Sequence, residues 1–310
     1  MQRKRALFSV SFVVSLFGSP VPHTGDPQAP TRPAVSIHHP PLTVGILEDD
    51  RAETLNEEGS APSKNRVVRV TFAKEGSEWI PAPSANKPTE WIIAFDGRSL
   101  GRVQSVNRAA GGEKWADVQD VANLAALPQI GKPSRRFGQS LSETVRRPLV
   151  VVSEPNSEDP DRWKPASLPP TLVAKVRDAF RKAFPNARRC DYRKETELPE
   201  PWDYSEADLR LTDVYRSNSD SFLVHTRPAK GVCGYTDDPA DPFADHWFLV
   251  LADGRAVHIG AFMELVDAGD YDHDGKSELV FSYGRPEDED GYILFYDSFR
   301  KQVKVSWTYH

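Results

Sequence analysis

The chain has 310 residues, 39% of them hydrophobic, and carries a formal net charge of −6 at pH 7. An acidic balance without a basic stripe gives nothing to meet phosphate groups, so nucleic acid is excluded as a partner. The length is enough for one large β domain or two small ones.

Residues 1–19 have the features of a secretory signal peptide. A basic start, Arg3 to Arg5, is followed by the apolar run from Ala6 to Phe17. This run is too short to cross a bilayer, and no later segment is apolar for long enough. We therefore expect a secreted, periplasmic or cell-surface protein with no membrane span in the mature chain. An uncleaved signal anchor is the alternative.

Residues 20–41 are dominated by proline. Seven prolines fall between Pro20 and Pro41, among few apolar side chains that a core could bury. Such a composition predicts an extended or disordered tether. The folded part is expected to begin at residue 42.

Strand patterns recur from residue 42 to the end of the chain. Alternation of apolar and polar residues, or short apolar runs, marks candidate strands at 44–47, 67–72, 91–95, 149–152, 209–215, 222–224, 247–251, 257–259, 279–283, 292–296 and 303–307. Asp253-Gly254 indicates a tight hairpin turn. The predicted fold is mainly β, either β-propeller-like or an irregular β-sheet domain. It spans 42–310, with possible sub-domains at 42–153 and 171–310.

One helix is predicted at 171–184. Leu172, Val176 and Phe180 recur at helical spacing, and Pro185 ends the pattern. A core-facing helix is preferred over a membrane-surface helix because the segment is short and lies mid-chain. A weaker helical pattern runs from Ala116 to Leu127.

Cys190 and Cys233 are the two cysteines of the chain. In an oxidising compartment an even pair predicts one disulfide, which here would close a long loop. Two unrelated thiols are the alternative.

The segment from Asp270 to Glu278 places acidic residues at alternate positions ahead of Gly275. This spacing suits Ca2+, a hard cation that takes six to eight oxygen ligands in a loop with a sharp glycine turn. The candidate ligands are the carboxylates of Asp270, Asp272, Asp274 and Glu278 and the backbone carbonyl of Lys276. An EF-hand is rejected because its twelfth position is Phe281 and the following residues alternate as a strand.

The pattern D-x-D-x-D-G-x-x-E followed by a strand resembles the FG-GAP or VCBS repeat, the calcium-binding unit of integrin-like β-propellers. The resemblance covers about residues 265–297. It implies a Ca2+ ion held by the same five groups, although the family usually has Asp where this chain has Glu278. The alternative reading is a polar turn in which Asp side chains cap backbone amides. Mg2+ is less suited because it retains its own waters.

Motifs for catalysis are weak. Gly97 to Gly101 fits G-x-S-x-G, but a strand pattern follows where a nucleophile elbow needs a helix, so Ser99 is expected to be a turn residue. His225, His246 and His258 lie in predicted strands without an evident partner. We expect an exported calcium-binding β-rich scaffold with a structural Ca2+ loop, either a binding or adhesion protein or an envelope-associated one. Its expected partner is protein or carbohydrate at the cell exterior. An exported hydrolase acting on polysaccharide or peptide and a structural assembly component are the alternatives.

Overall fold

Strands dominate the part of the chain that the structure describes, and a helix accompanies them. The computed structural model describes residues 41–50, 66–84, 87–108, 118–123, 127, 147–154, 158–191, 194, 196–202, 209–228, 244–285 and 289–308. The predicted mainly β fold with a helix near 171–184 is confirmed. The propeller arrangement remains a prediction.

The first seven strands belong to one antiparallel sheet. They are β1 (Thr43–Asp49), β2 (Arg66–Glu75), β3 (Glu78–Pro81), β4 (Glu90–Phe95), β5 (Arg98–Asn107), β6 (Val118–Val121) and β7 (Leu149–Val152). The strand order is β1-β7-β4-β5-β6-β2-β3, and β1 also pairs with β2. This extra pairing closes six of the strands, all except β3, into a ring, which we call the ring below.

The ring has two apolar faces because alternate residues of a strand point in opposite directions. One buried cluster includes Leu47, Trp91 and Val151. A second includes their neighbours Ile46 and Ile92, and it extends beyond the ring to the C-terminal strands. Continuous apolar runs in β1, β4 and β7 therefore reflect burial on both faces.

The sequence pattern at 116–127 predicted a helix, and this was wrong where the structure describes the segment. Val118–Val121 form β6, which pairs with both β2 and β5. These ladder hydrogen bonds complete the ring, so long-range pairing overrides the local helical preference. No local signal in the segment reports that requirement.

The middle of the chain forms a five-stranded antiparallel sheet, which carries the helix on one side. Its strands and the neighbouring elements are β8 (Lys164–Pro165), α1 (Pro170–Ala183), β9 (Arg188–Asp191), β10 (Thr196–Pro201), β11 (Leu209–Arg216), β12 (Phe222–Pro228), β13 (His246–Val250) and β14 (Ala256–Ala261). The sheet order is β14-β13-β12-β11-β8, and β9 pairs with β10 separately.

The helix α1 begins at a proline and packs its apolar face on this sheet. Proline suits the first helical turn, where its missing N–H has no intrahelical partner. Val176 and Phe180 are buried in a cluster with Val224 and Phe248 of the sheet. Along the described part of the chain, no helix is long and apolar enough to cross a membrane.

The C-terminal strands form a four-stranded antiparallel meander, called the meander below. Its strands are β15 (Met263–Gly269), β16 (Glu278–Arg285), β17 (Glu289–Tyr296) and β18 (Lys301–Thr308). One face, with Val280 and Leu294, joins the buried cluster of the ring. The other face, with Phe281 and Phe295, packs against Trp247 of the five-stranded sheet. The meander is thus the central layer.

Several predictions fall outside the described residues. These are the signal peptide at 1–19 and the tether up to residue 40. Cys233 also lies outside them, and the side chain of Cys190 is not described, so the predicted disulfide is untested.

Candidate metal centre

The acidic loop, residues 270–278, connects β15 to β16 at one end of the meander. The last cross-strand pair before the turn is Gly269 with Glu278. His273 and Gly275 adopt positive φ angles of 61° and 81°. Glycine adopts such angles at little energetic cost, which explains why the glycine lies where the chain turns back into β16.

Three of the predicted ligands converge. Asp270, Asp272 and Glu278 each place a carboxylate oxygen within 4.8 Å of the others. The convergence is buried, since Glu278 is 1% exposed and Asp270 is 7% exposed. The Asp272 side chain is 3% exposed. Three carboxylates held this close in an apolar setting repel one another unless a proton or a cation intervenes.

Backbone amides of the loop orient these carboxylates. Asp274 N–H and Gly275 N–H donate to the two oxygens of Asp270, each at 3.0 Å. Tyr271 N–H donates to Glu278 Oε2 at 2.7 Å. The carboxylates are therefore positioned by the fold of the loop itself, before any ion is considered.

The Asp274 carboxylate is not among the three converging groups, and the role of the Lys276 backbone carbonyl as a ligand remains a prediction. The half-exposed Asp274 carboxylate accepts Lys276 N–H at 2.8 Å and lies 3.5 Å from the Lys276 ammonium. Asp274 N–H also donates to Asp272 Oδ1 at 3.2 Å. The polar-turn interpretation is thus represented in the same loop, in which Asp side chains cap amides two residues further on.

Burial and mutual repulsion disfavour ionisation of the carboxyl groups in the loop. Burial, and then repulsion from Asp272, Asp270 and Asp274, raise the pKa of Glu278 to about 9, although the Tyr271 N–H opposes the rise. Burial also raises the pKa of Asp270, with repulsion from its acidic neighbours added. Without a cation, Glu278 therefore retains a proton at pH 7.

A lysine from the ring enters the loop. The Lys74 ammonium, at the end of β2, contacts Asp272 Oδ2. It also lies 5.3 Å from the centroid of the Trp79 ring and 5.8 Å from that of Tyr296, within the range of cation–π attraction. Sequence reasoning missed Lys74 because it is 198 residues from Asp272 and no local pattern connects them.

The segment before β8 braces the loop from another side. Asp270 N–H donates to the Glu158 carbonyl at 2.8 Å, and Ser277 Oγ donates to Asp159 Oδ1 at 2.6 Å. Asp159 also accepts Trp163 N–H at 2.8 Å. The loop is consequently held by an ion pair to β2 and by hydrogen bonds to the segment that precedes the five-stranded sheet.

No protein-family model matches the chain, and no curated protein or solved structure shows significant similarity to it. The resemblance of the loop to FG-GAP and VCBS repeats therefore remains a prediction.

The donor set fits a hard divalent cation. The three converging ligands are all carboxylate oxygens, the type that Ca2+ and Mg2+ prefer. When Glu278 is ionised, three negative charges and the Lys74 ammonium leave a local charge of −2, which a divalent ion balances. Both Asp270 oxygens already accept amides, so water or backbone oxygens would have to complete the shell.

Proposed function

We propose that the protein is an exported β-rich scaffold whose acidic loop binds one Ca2+ ion, with a structural role. The proposal rests on the convergence of three buried carboxylates, Asp270, Asp272 and Glu278, within 4.8 Å of one another. Ca2+ is preferred over Mg2+ because the loop supplies preformed protein oxygens, whereas Mg2+ retains most of its waters.

The ion would stabilise a junction of three parts of the fold. The loop connects two strands of the meander, contacts Lys74 of the ring and bonds to residues 158–159 ahead of the five-stranded sheet. A ligand that binds the folded chain and not the unfolded chain adds about 2.7 kcal/mol when its concentration is 100 times Kd. Outside the cytosol, calcium is abundant enough for a weak site to be filled.

The biological role that fits this scaffold is binding or adhesion at the cell exterior, with protein or carbohydrate as the partner. The signal-like segment at 1–19 supports export, and the resemblance of the loop supports a scaffold role. A fold alone never fixes function, so this role depends on finding a ligand.

Thermal unfolding in EDTA, Ca2+ and Mg2+ tests the metal site. We expect Ca2+ in large excess to raise the melting temperature of the wild-type chain by roughly 5–10 °C relative to EDTA. Glu278→Gln should abolish the rise, because the amide keeps the shape but removes a charged ligand. Asp253→Asn is the matched control, since Asp253 lies at the exposed β13–β14 turn.

Calorimetric titration supplies the stoichiometry, with one Ca2+ expected per chain. If the melting temperature of the wild-type chain is the same in EDTA and in Ca2+, the loop is an ordinary polar turn and the proposal is wrong. An equal Ca2+ response in wild type and Glu278→Gln would place any calcium site elsewhere.

A further inference from the structure

A cleft separate from the acidic loop lies where the ring, the five-stranded sheet and the meander meet. Its cavity volume is about 550 Å³, and no residue of the 270–278 loop is among its described lining residues. Glu48 and Arg147 line it from the region of the ring, His225 from the sheet, and Tyr283 from the meander. Small-molecule sites typically have volumes of roughly 300–1,000 Å³.

His225 is the fixed polar group of this cleft. Its ring stacks on Trp247, with a centroid distance of 4.6 Å and an interplanar angle of 7°. Nδ1 lies 2.8 Å from Thr212 Oγ1 and 3.1 Å from Asp213 Oδ2. The residue is 9% exposed, so packing and two polar contacts on one edge hold the imidazole in a single orientation.

The other edge of the imidazole has no protein partner within the described residues. Nε2 of His225 is buried and makes no hydrogen bond there. Asp245 Oδ2 is 3.8 Å away, beyond hydrogen-bond reach. A buried polar atom without a partner is uncommon in a folded protein, and in a cleft it indicates a place for a ligand.

The contacts of Nδ1 determine what Nε2 offers. The Thr212 hydroxyl donates to the His225 carbonyl at 3.3 Å, so its oxygen faces Nδ1 as an acceptor. An ionised Asp213 can only accept. Nδ1 therefore carries a proton, and in the neutral tautomer that this selects, Nε2 presents a lone pair that accepts from an N–H or O–H donor.

The charge of the cleft selects among such donors. Its described carboxylates are those of Glu48, Asp49, Asp213, Asp245, Glu264 and Asp290. Arg147 and Arg227 are the arginines of the described lining. Arg227 donates to Asp245 at 2.6 Å, and Arg147 donates to the carbonyl of Val266 at 2.6 Å.

Two arginines that are not among the described lining residues lie beside lining carboxylates. Arg69 pairs with Glu48 at 2.7 Å, and Arg66 lies 3.5 Å from Asp49. Near His225, the described carboxylates of Asp213 and Asp245 face the guanidinium group of Arg227, which leaves an excess of one negative charge among these three groups. This excess disfavours phosphates and carboxylates as ligands and favours a cation.

Aromatic side chains form much of the remaining wall. They are Tyr215, Trp247, Phe262, Tyr283, Tyr292 and Trp307. Two of these rings already pack against protein cations, since the Arg69 guanidinium lies 3.9 Å from the Trp307 centroid and Lys304 Nζ lies 3.9 Å from that of Tyr283. Aromatic rings combined with carboxylates suit organic cations.

We propose that this cleft binds a small organic cation with N–H donors, an alkylammonium or guanidinium group, through His225 Nε2 and the carboxylates of Asp213 and Asp245. The N–H would donate to the Nε2 lone pair. The carboxylates would balance its charge. This inference goes beyond the proposed calcium-dependent function, because the cleft and the acidic loop share no residue.

Calorimetric titration of the full chain with four probes tests the inference. The first two probes are 1,4-diaminobutane and agmatine, which carry ammonium and guanidinium groups. The third is 1,4-butanediol, a neutral molecule of the same length as the diamine, and the fourth is tetramethylammonium, a cation without N–H donors. We expect saturable binding of one or both N–H cations, at least tenfold tighter than the diol and the tetramethyl cation.

Variants assign the binding to the cleft. His225→Phe retains an aromatic ring against Trp247 but removes Nε2, and Asp245→Asn removes one charge at nearly constant shape. Each should weaken binding of the preferred cation at least tenfold. Asp220→Asn, at the exposed β11–β12 turn, is the matched control and should leave binding unchanged.

Three results would overturn the inference: no saturable binding of either N–H cation, equal binding of the diol, or unchanged binding in both cleft variants. The titrations are performed in Ca2+ and in EDTA, at a temperature where both forms remain folded. Binding in EDTA would uphold the cleft even if the calcium proposal fails, and a calcium response without cation binding would reject the cleft alone.

Discussion

The Lys74 ammonium contacts the Asp272 carboxylate across a boundary between two parts of the fold, the ring and the acidic loop of the meander. The Lys74 side chain is 17% exposed and that of Asp272 is 3% exposed, so the ion pair is shielded from water. The positive charge of Lys74 would therefore repel a Ca2+ ion bound to Asp272. A protein cation and a metal cation compete for the same carboxylate.

Replacement of Lys74 by Met should separate these two effects. In EDTA the variant should lose about 1–3 kcal/mol of unfolding free energy, because a buried carboxylate loses its charged hydrogen-bond partner. In Ca2+ the loss should be smaller, and the affinity for Ca2+ should rise, since the repelling ammonium is absent. Denaturant unfolding with and without Ca2+ measures both quantities.

Lys301→Met is the control for this variant, because Lys301 pairs with Glu78 at the surface. It should change the unfolding free energy by less than about 1 kcal/mol in either buffer. Weaker Ca2+ binding by Lys74→Met would show that Lys74 supports the ion site rather than competing with the ion.

His258 should make the fold sensitive to mild acid. Burial beside Phe184 and Phe248 lowers the pKa of His258 below its ordinary value of 6.5, although a hydrogen bond with the Gly260 backbone opposes the shift. The neutral ring therefore contributes full stability above pH 6.5, and this contribution is lost as the pH falls from there through the lowered pKa. The slope reaches at most about 1.4 kcal/mol per pH unit for one group.

Denaturant unfolding of wild type and His258→Gln at pH 7.5 and pH 5.5 measures this contribution. The variant should lose less stability between the two pH values than wild type, since Gln does not titrate. Its neighbour His246, whose Nδ1 lies 3.1 Å from His258 Nε2, also faces the site and remains in both proteins. Equal losses would assign the acid sensitivity to other groups.

Arg147 should be required for the junction between the ring and the meander. Its guanidinium donates to the carbonyls of Leu265 and Val266, at 3.0 and 2.6 Å, and the residue is 8% exposed. Burial lowers the pKa of Arg147, while the nearby Asp267 opposes that shift. Arg147→Met leaves two buried carbonyls without this donor, and we expect a loss of about 1–3 kcal/mol.

Urea unfolding of Arg147→Met beside Arg102→Met checks this expectation. Arg102 pairs with Glu90 at an exposed position, so its removal should be nearly neutral. Similar losses in the two variants would contradict a special role for Arg147.

Two glycines of the meander should respond differently to alanine. A Cβ at Gly291 would lie 2.3 Å from the Val305 carbonyl oxygen and 3.0 Å from Ser306 Cα, both backbone atoms of the paired strand β18. A Cβ at Gly284 would meet the Asp290 carboxylate at 2.9 Å, and that side chain can move. Gly291→Ala should therefore destabilise the chain by about 1–3 kcal/mol or more, and Gly284→Ala by clearly less. Melting temperatures of the two variants provide the comparison.

Local patterns predicted the elements whose burial repeats along the chain. The apolar spacing of Val176 and Phe180 marks the buried face of the helix. The alternation at Val67 to Phe72 predicted a strand, but its polar positions Arg69 and Thr71 are buried as well. The spacing of the acidic loop likewise specified which carboxylates to examine. Three of the four carboxylates predicted as ligands converge, and Asp274 instead caps an amide.

Contacts between distant segments could not be predicted in this way. β6 forms through its pairing with β2 and β5, which are distant in sequence. Lys74 contacts Asp272 only when the ring packs against the meander. His225 lacked an evident partner in the sequence because Trp247 belongs to the neighbouring strand and the pattern around Asp213 gives no pairing register. Such relationships depend on strand register and layer packing, which single-sequence periodicity does not encode.

The position of the meander between two partners has a consequence for how the protein can be divided. Its two faces complete two separate clusters, one with Val280 and Leu294 and the other with Phe281 and Phe295. A fragment that lacks residues 263–308 would expose apolar surface on both the ring and the five-stranded sheet, and such surfaces promote aggregation. The chain should therefore not be truncated ahead of the meander for expression. Insertions are better tolerated at turns such as Asp253-Gly254.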